Sequence, residues 1–551
     1  MCMPRKFNLL YLFFIALLSG CQPSVQVDLI VHNGVIYTVD SLFTQQQAFA
    51  VKDGKFVAIG TSEDILSHYT SDSVIDAKGQ AVYPGFYDPH SHFLGLGSKL
   101  DAADLVGTTS YQDVVDRLKA FRAEHPDRAW LLGRGWDQND WTDKSFPDKS
   151  LLDQAFPDVP VLLTRIDGHA SLVNSKALQL AKVTGASKVE GGLVELKNGQ
   201  PTGILVDNAS RLVTKVIPPY SEEDKRKIIK IAEANCLSYG LTTVSDAGIS
   251  RENIELIDKM HKEGSLKIRD YAMISISMEN MDYYIPKGPY QSDRLTVRAF
   301  KIYADGALGS RGACLLEPYA DAPTSGFLLS SAETLESYTA RIAQSDFQAN
   351  THCIGDSANR LMLDLYGKYL KGPNDRRWRI EHAQIVSKAD VPKFGKFSVI
   401  PSVQPTHTTS DMYWAGERLG PERVKTAYAF KDLLKQNGFI PLGSDFPVEA
   451  VNPLFGFHSA VARMDDQGFP PGGFQEENAL TREEALKGMT IWAAYSNFED
   501  KTRGSIEKGK FADFVILDKD IMKIPLNEVR GTKVMRTVIG GESLYTAPAS
   551  K

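Results

Sequence analysis

The chain is poor in cysteine, has no excess of basic residues and carries no long apolar run beyond its first twenty positions. Its 62 lysines and arginines stand against 68 aspartates and glutamates, a formal net charge of −6. It therefore lacks the positive surplus by which phosphate-backbone binders release counterions, and no nucleic-acid partner is expected. Five cysteines occur in 551 residues. Cys2 and Cys21 fall in or at the end of the leader, leaving Cys236, Cys314 and Cys353, an odd and widely spaced set with neither a disulfide framework nor zinc-finger spacing. A Gly-x-Ser-x-Gly elbow is also missing, which argues against a serine nucleophile of that type. No fixed-period repeat or low-complexity tract is evident.

What is present begins with a leader. Arg5 and Lys6 precede an apolar run over residues 7–18, too short to cross a bilayer core of ~30 Å. Leu18, Ser19, Gly20 and Cys21 follow and resemble a bacterial lipobox. That resemblance implies a signal peptide over 1–20 and lipidation of Cys21, with 21–25 as a tether. The chain would then sit in the bacterial cell envelope, held to a membrane through the lipid alone.

At 43% hydrophobic and 24% charged residues, the remainder reads as a folded body of two or three domains at roughly 150 residues each. Residues 25–82 alternate apolar and polar positions around Asn33-Gly34, Asp53-Gly54 and Lys78-Gly79, predicting several short antiparallel strands. Residues 504–517 and 534–545 are again strand-like, and the two terminal segments are expected to pair as one composite domain, 26–83 with 500–547. Between them, apolar β-branched runs at 242–245, 299–303, 379–381 and 439–442 alternate with helical stretches such as 221–238, the pattern of βαβ units. The fold class is α/β, with enough units for a (β/α)8 barrel over 84–499. The stretch 99–239 exceeds any normal loop and is read as an inserted α+β subdomain.

Tyr83-Pro84-Gly85-Phe86-Tyr87-Asp88-Pro89-His90-Ser91-His92 ends an apolar strand with two histidines spaced one apart. Alternate strand residues share a face, so His90 and His92 aim at one point, and imidazole suits zinc and related divalent ions. Further candidates close later strands: Lys301 in Phe300-Lys301-Ile302-Tyr303-Ala304-Asp305-Gly306, His352 in Thr351-His352-Cys353, His382 in Ile380-Glu381-His382-Ala383, and Asp445 in Gly443-Ser444-Asp445-Phe446-Pro447.

With these motifs, and with Leu132-Gly133-Arg134-Gly135-Trp136-Asp137, Asp167-Gly168-His169-Ala170, Asp305-Gly306-Ala307-Leu308-Gly309-Ser310-Arg311 and the closing Gly509-Lys510-Phe511-Ala512-Asp513, the chain resembles the metal-dependent amidohydrolase superfamily. Within it, the resemblance is to the branch that includes N-substituted formamide deformylase. It implies a (β/α)8 barrel beside a β-sandwich built from both termini. It also implies His90, His92, Lys301, His352, His382 and Asp445 as metal positions, with one or two ions, zinc foremost. Lys301 would be N-carboxylated where two ions are bridged, an ordinary strand-end lysine paired with Asp305 being the alternative.

The reaction implied is hydrolysis of a non-peptide carbon–nitrogen bond in a small molecule, an N-acyl or N-formyl amide, with Asp445 shuttling the proton. Ring-opening of a cyclic amide, deamination and ester hydrolysis use the same site, and a non-catalytic solute-binding lipoprotein is a further reading. His169 is a candidate for contact with the developing oxyanion or the substrate. Trp136, Asp137, Arg311 and Gln404 are candidates for binding substrate, with packing, helix capping and a local Asp305–Arg311 ion pair as the plainer roles. Gln404 and His407 are placed at the rim after strand seven. A homodimer is left open.

Overall fold

Two strands meet end to end at Gly85: Ala81–Pro84 joins a terminal sheet, and Phe86–Ser91 opens a barrel. A Cβ at residue 85 would lie 2.3 Å from Thr242 Oγ1, so the backbone passes that strand only as glycine. The computed structural model describes residues 24–548 apart from 167, 169, 190, 191 and 310. The leader and Cys21 lie outside the described residues.

Strands Phe86–Ser91, Leu241–Ile249, Arg269–Ser275, Leu295–Tyr303, Gln348–Cys353, Arg379–His382 and Ile400–Ser402 pair in parallel and in sequence order. Residues 440–443 take the eighth place. Leu442 forms a parallel bridge with Val403, the Gly443 amide donates to Val403 O, and the Asp445 amide donates to His90 O at 2.8 Å. The barrel is thus nearly closed. The run expected at 439–442 holds only this single bridge, because Pro441 has no amide to donate.

Parallel neighbours need long crossovers, and helices supply them. One is Glu222–Ser238, started by a capping box in which Ser221 and Asp224 satisfy each other's backbone amides. Its Ile229, Ala232, Cys236 and Leu237 are buried in the same core as the barrel strands. This corrects the expected boundary: the helix belongs to the barrel layer, and the insertion ends before residue 222. The insertion is a six-stranded mixed sheet running from Ala103–Asp104 to Gln200–Asp207, over its own core of Leu118, Leu131, Trp136, Trp141 and Leu163.

The terminal segments form a four-stranded and a six-stranded sheet, with a small two-stranded pair, Val25–Gln26 with Tyr69–Thr70, beside them. Phe514–Leu517 lies antiparallel to Ala81–Pro84, which joins the two ends of the chain, and Phe49, Phe56 and Phe514 meet at ring spacings of 5.0 Å between the sheets. The strands near the N-terminus are not all antiparallel, as the alternation had suggested. Leu29–His32 with Val74–Asp76, and Val35–Tyr37 with Ala81–Pro84, pair in parallel. The helix Ser62–His68 lies in the intervening chain. Among the described residues no helix is long and apolar enough to cross a membrane.

Candidate metal centre

Barrel geometry sends strand ends to one face, where loops gather side chains from distant parts of the sequence. His90 is near the end of strand one, and His92 directly precedes the helix Phe93–Leu100. Asp88, on the same face, accepts from the His90 amide and from the amide and hydroxyl of Ser444, which pins strand one to the eighth segment.

Around this pair the structure gathers the later candidates. Lys301 Nζ lies 3.0 Å from His90 Nε2, with both side chains fully buried. Asp445 Oδ1 lies 3.1 Å from His92 Nε2 and 3.4 Å from His90 Nε2, and its Oδ2 lies 3.8 Å from His407 Nε2. The His382 ring is centred 4.9 Å from that of His90, 4.5 Å from that of His352 and 5.9 Å from that of His407, on which it stacks. His382 (φ +72°) and Asp445 (φ +62°) adopt left-handed backbone conformations that non-glycine residues seldom hold. On strand alternation Glu381 and His382 would face opposite ways, and the left-handed turn at His382 brings both to the site.

Burial sets the charge state. It lowers His90 to about 4 and His352 to about 3, and pushes His382 well below the usual imidazole range, so these rings are neutral bases near pH 7. It also lowers Lys301 to about 8. Burial opposes the ionised Asp445, but the neighbouring His92, His90 and His382 outweigh it and hold the carboxyl well below its ordinary value. Asp445 in turn raises His92 against the effect of burial.

Among the described buried atoms, His352 Nε2, His382 Nδ1, His407 Nε2 and Asp445 Oδ1 have no hydrogen-bond partner. Each such atom costs about 1–3 kcal/mol if left unsatisfied. Neutral imidazole nitrogens and a carboxylate converging at strand ends are the donor set that zinc-class cations take. The residues present fit a divalent cation.

A carboxylate not singled out in the sequence completes the centre. His90 Nδ1 is 2.5 Å from Glu381 Oε2, a partner that only accepts, so Nδ1 carries the hydrogen and Nε2 keeps its lone pair. Glu381 is buried, which disfavours its charge, yet Arg379 and His90 hold it at about 2. Arg379 Nε lies 2.6 Å from Glu381 Oε1, and its Nη1 donates to Asn497 Oδ1 at 2.6 Å. The signal was the Arg379-x-Glu381 spacing, two charges on one face of a buried strand.

Other candidates lie elsewhere. Trp136 is fully buried in the insertion's core, its indole N–H donating to Leu163 O at 2.9 Å, so it lines no mouth. Asp137 pairs with Arg165. Arg311 pairs at 2.7 Å with Asp321, which also meets Arg418, and not with Asp305. Asp305 instead accepts the amides of Cys314, Ile354 and Gly355, so it anchors the loop after His352 and is no partner for Lys301. Gln404 lies between strand seven and the helix Pro405–Asp411, buried, with Nε2 lacking a hydrogen-bond partner. His407, expected at the rim, sits within the cluster on the helix Pro405–Asp411. His169 lies outside the described residues.

Comparison with known proteins gives the family. The sequence profile of the Amidohydrolase family matches residues 73–545. The chain is 33% identical over 526 residues to the putative amidohydrolase YtcJ of Bacillus subtilis, covering 93% of this chain and 98% of that one. It is 32% identical to the protein LONG AFTER FAR-RED 3 of Arabidopsis thaliana, over 97% and 94% of the two chains. It is 25% identical to the N-substituted formamide deformylase of Arthrobacter pascens, over 95% and 99%. Among solved structures, an uncharacterized metal-dependent hydrolase from Pyrococcus horikoshii superposes with a TM-score of 0.78 at 29% identity, over 90% and 99% of the two chains. The chain belongs to the amidohydrolase family and is a hydrolase of carbon–nitrogen bonds.

Proposed function

We propose that this chain hydrolyses an N-acyl or N-formyl amide of a small molecule, using a divalent cation, zinc first among candidates, held by His90, His92, Lys301, His352, His382 and Asp445. The observation that carries the reading is the convergence of His352 Nε2, His382 Nδ1 and Asp445 Oδ1, buried and without hydrogen-bond partners, beside the His90–His92 pair. The N-substituted formamide deformylase relative supports the choice of electrophile by its name.

A cation bound there supplies Lewis-acid polarisation of the acyl oxygen and acidifies the attacking water. Asp445 accepts the water proton as the new carbon–oxygen bond forms, and returns it to the amide nitrogen as the carbon–nitrogen bond breaks. One side chain thus serves both transfers, and the products are a carboxylic acid, formic acid for a formyl group, and an amine. Glu381 keeps the hydrogen on His90 Nδ1, which leaves Nε2 free to coordinate. Lys301, 3.0 Å from that nitrogen, is the position for N-carboxylation. The same proposal places the enzyme at the bacterial cell envelope, tethered by lipid on Cys21.

The test is amine release from a panel of N-formyl and N-acyl compounds before and after chelation. Activity lost on chelation and restored by Zn2+ is expected. Turnover indifferent to chelation, or cleavage confined to esters, would overturn the reading.

A further inference from the structure

Two positively charged side chains at the seam between insertion and barrel take no part in the chemistry above. Lys99 lies in the last turn of the helix Phe93–Leu100, whose N-cap is His92. A lysine so placed ordinarily serves the carbonyls at its own helix end. Helical side chains lean toward the N-terminus, and this one reaches back far enough that Nζ donates at 3.3 Å to Pro447 O, two residues past Asp445. Lys99 is half-buried, and among the described residues its ammonium has no other hydrogen-bond partner and no ion pair.

Arg134 stands on the insertion strand Leu131–Trp136, between Gly133 and Gly135. It is exposed, and among the described residues its guanidinium makes no hydrogen bond or ion pair. Asp104, its register neighbour on the adjoining strand, turns Oδ1 to the Val106 amide at 3.1 Å instead. The chain at Gly168 passes beside the guanidinium, where a Cβ would lie 3.7 Å from Arg134 Nη2. The two charges act on each other. Burial and then Arg134 lower the Lys99 ammonium below its ordinary value, and Asp104 offsets this only in part.

We propose that Lys99 and Arg134 form an anion subsite at the mouth of the metal centre, and that the substrate is an amide carrying a carboxylate. The inference rests on the amide reading above and names the substrate class within it. Like charges held together without a counter-ion repel, and an anion between them relieves the repulsion. A carboxylate suits the pair, because the guanidinium fork takes both oxygens and the ammonium still has hydrogens to give. Position supplies the link to the chemistry. The helix that bears Lys99 starts at His92, and the Lys99 ammonium touches the loop that follows Asp445, so a carboxylate held there is tied to two sides of the centre. Arg311, the sequence candidate for this role, is taken by Asp321.

The experiment compares N-formylleucine and N-butylsuccinamate, each with its carboxamide, so that the charge sits on the amine half of one acid and the acyl half of the other. Binding to the chelated full chain is read by calorimetry, and kcat/KM of the zinc-loaded chain by release of formate or butylamine. The variants are Arg134→Gln and Lys99→Met, which keep most of each stem and remove the charge, and folding is checked by circular dichroism. We expect the wild type to prefer at least one acid over its carboxamide by roughly 10–100-fold in both readouts, the worth of a charge-assisted contact, with the ratio falling toward one in each variant. Equal treatment of acid and carboxamide by the wild type would overturn the subsite and leave the amide reading standing. So would variants that weaken both ligands alike and keep the ratio, as a merely structural role would produce. If an acid binds with that preference and no amide is cleaved, the amide reading falls and the subsite stands on binding alone.

Discussion

At the scale of single residues, the centre depends on side chains buried behind the coordinating ones. Glu381 fixes the tautomer of His90 and is itself fixed by Arg379, so three buried groups in series set one coordinating lone pair. Its folded pKa, about 2, lies below the ordinary value of 4.5, so its contribution is present above about 4.5 and is lost only as the pH falls toward about 2. At working pH the carboxylate is ionised throughout. Glu381→Gln keeps the shape and removes the charge, and cation affinity should fall by roughly 10–100-fold. Competition against a chromophoric chelator at pH 7 reads that change directly. An unchanged affinity would mean that the His90 tautomer is held by some other contact.

At the scale of elements, some of this was legible in the sequence. Barrel strands showed as apolar β-branched runs because both faces are covered, and strand-end histidines stood out because alternation aims them together. The eighth segment was readable only as an apolar run, since Pro441 and Gly443 leave it one bridge with Val403. Trp136 was misplaced because a glycine-rich motif does not reveal which core its strand serves, and Glu381 escaped because period-two reasoning admits one of two adjacent residues. Helix Glu222–Ser238 looked continuous with the insertion, although its buried face belongs to the barrel. The junction between sandwich and barrel is where sequence and packing meet most tightly. Gly85→Ala would place a methyl group 2.3 Å from Thr242 Oγ1 and 2.8 Å from Thr242 Cβ, which rotation of the Thr242 side chain cannot relieve. A loss of about 1–3 kcal/mol is expected in denaturant unfolding. A loss below ~0.5 kcal/mol would show that the two strands can part at little cost.

At the scale of the whole molecule, the question is whether barrel and terminal sandwich unfold as one. Arg269 opens barrel strand three, and its guanidinium meets Asp513 of the C-terminal segment in two contacts, Nε to Oδ2 at 2.7 Å and Nη2 to Oδ1 at 2.9 Å. The side chains are 2% and 5% exposed, so each charge relies on the other for what water no longer supplies. Asp513 also accepts the Gly540 amide at 2.8 Å, which draws in the strand Val534–Ile539 just before it. Burial alone would raise the Asp513 carboxyl, but Arg269 outweighs it and holds the pKa below 3.8. A carboxyl depressed in the folded state adds stability above its unfolded pKa, and that stability is lost as the pH drops through the folded value. Asp513→Asn strands a buried guanidinium with a neutral acceptor, at a cost of about 3 kcal/mol near pH 7. The wild-type advantage should therefore be full above pH ~4 and shrink below it, as protonation makes the native residue resemble the variant. Urea unfolding followed by tryptophan fluorescence and by far-ultraviolet dichroism should show one coincident transition in the wild type. If the pair couples the two bodies, the variant's transitions separate, with the sandwich unfolding first. Coincident transitions at an unchanged midpoint would assign the coupling to the apolar contacts between sandwich and barrel instead.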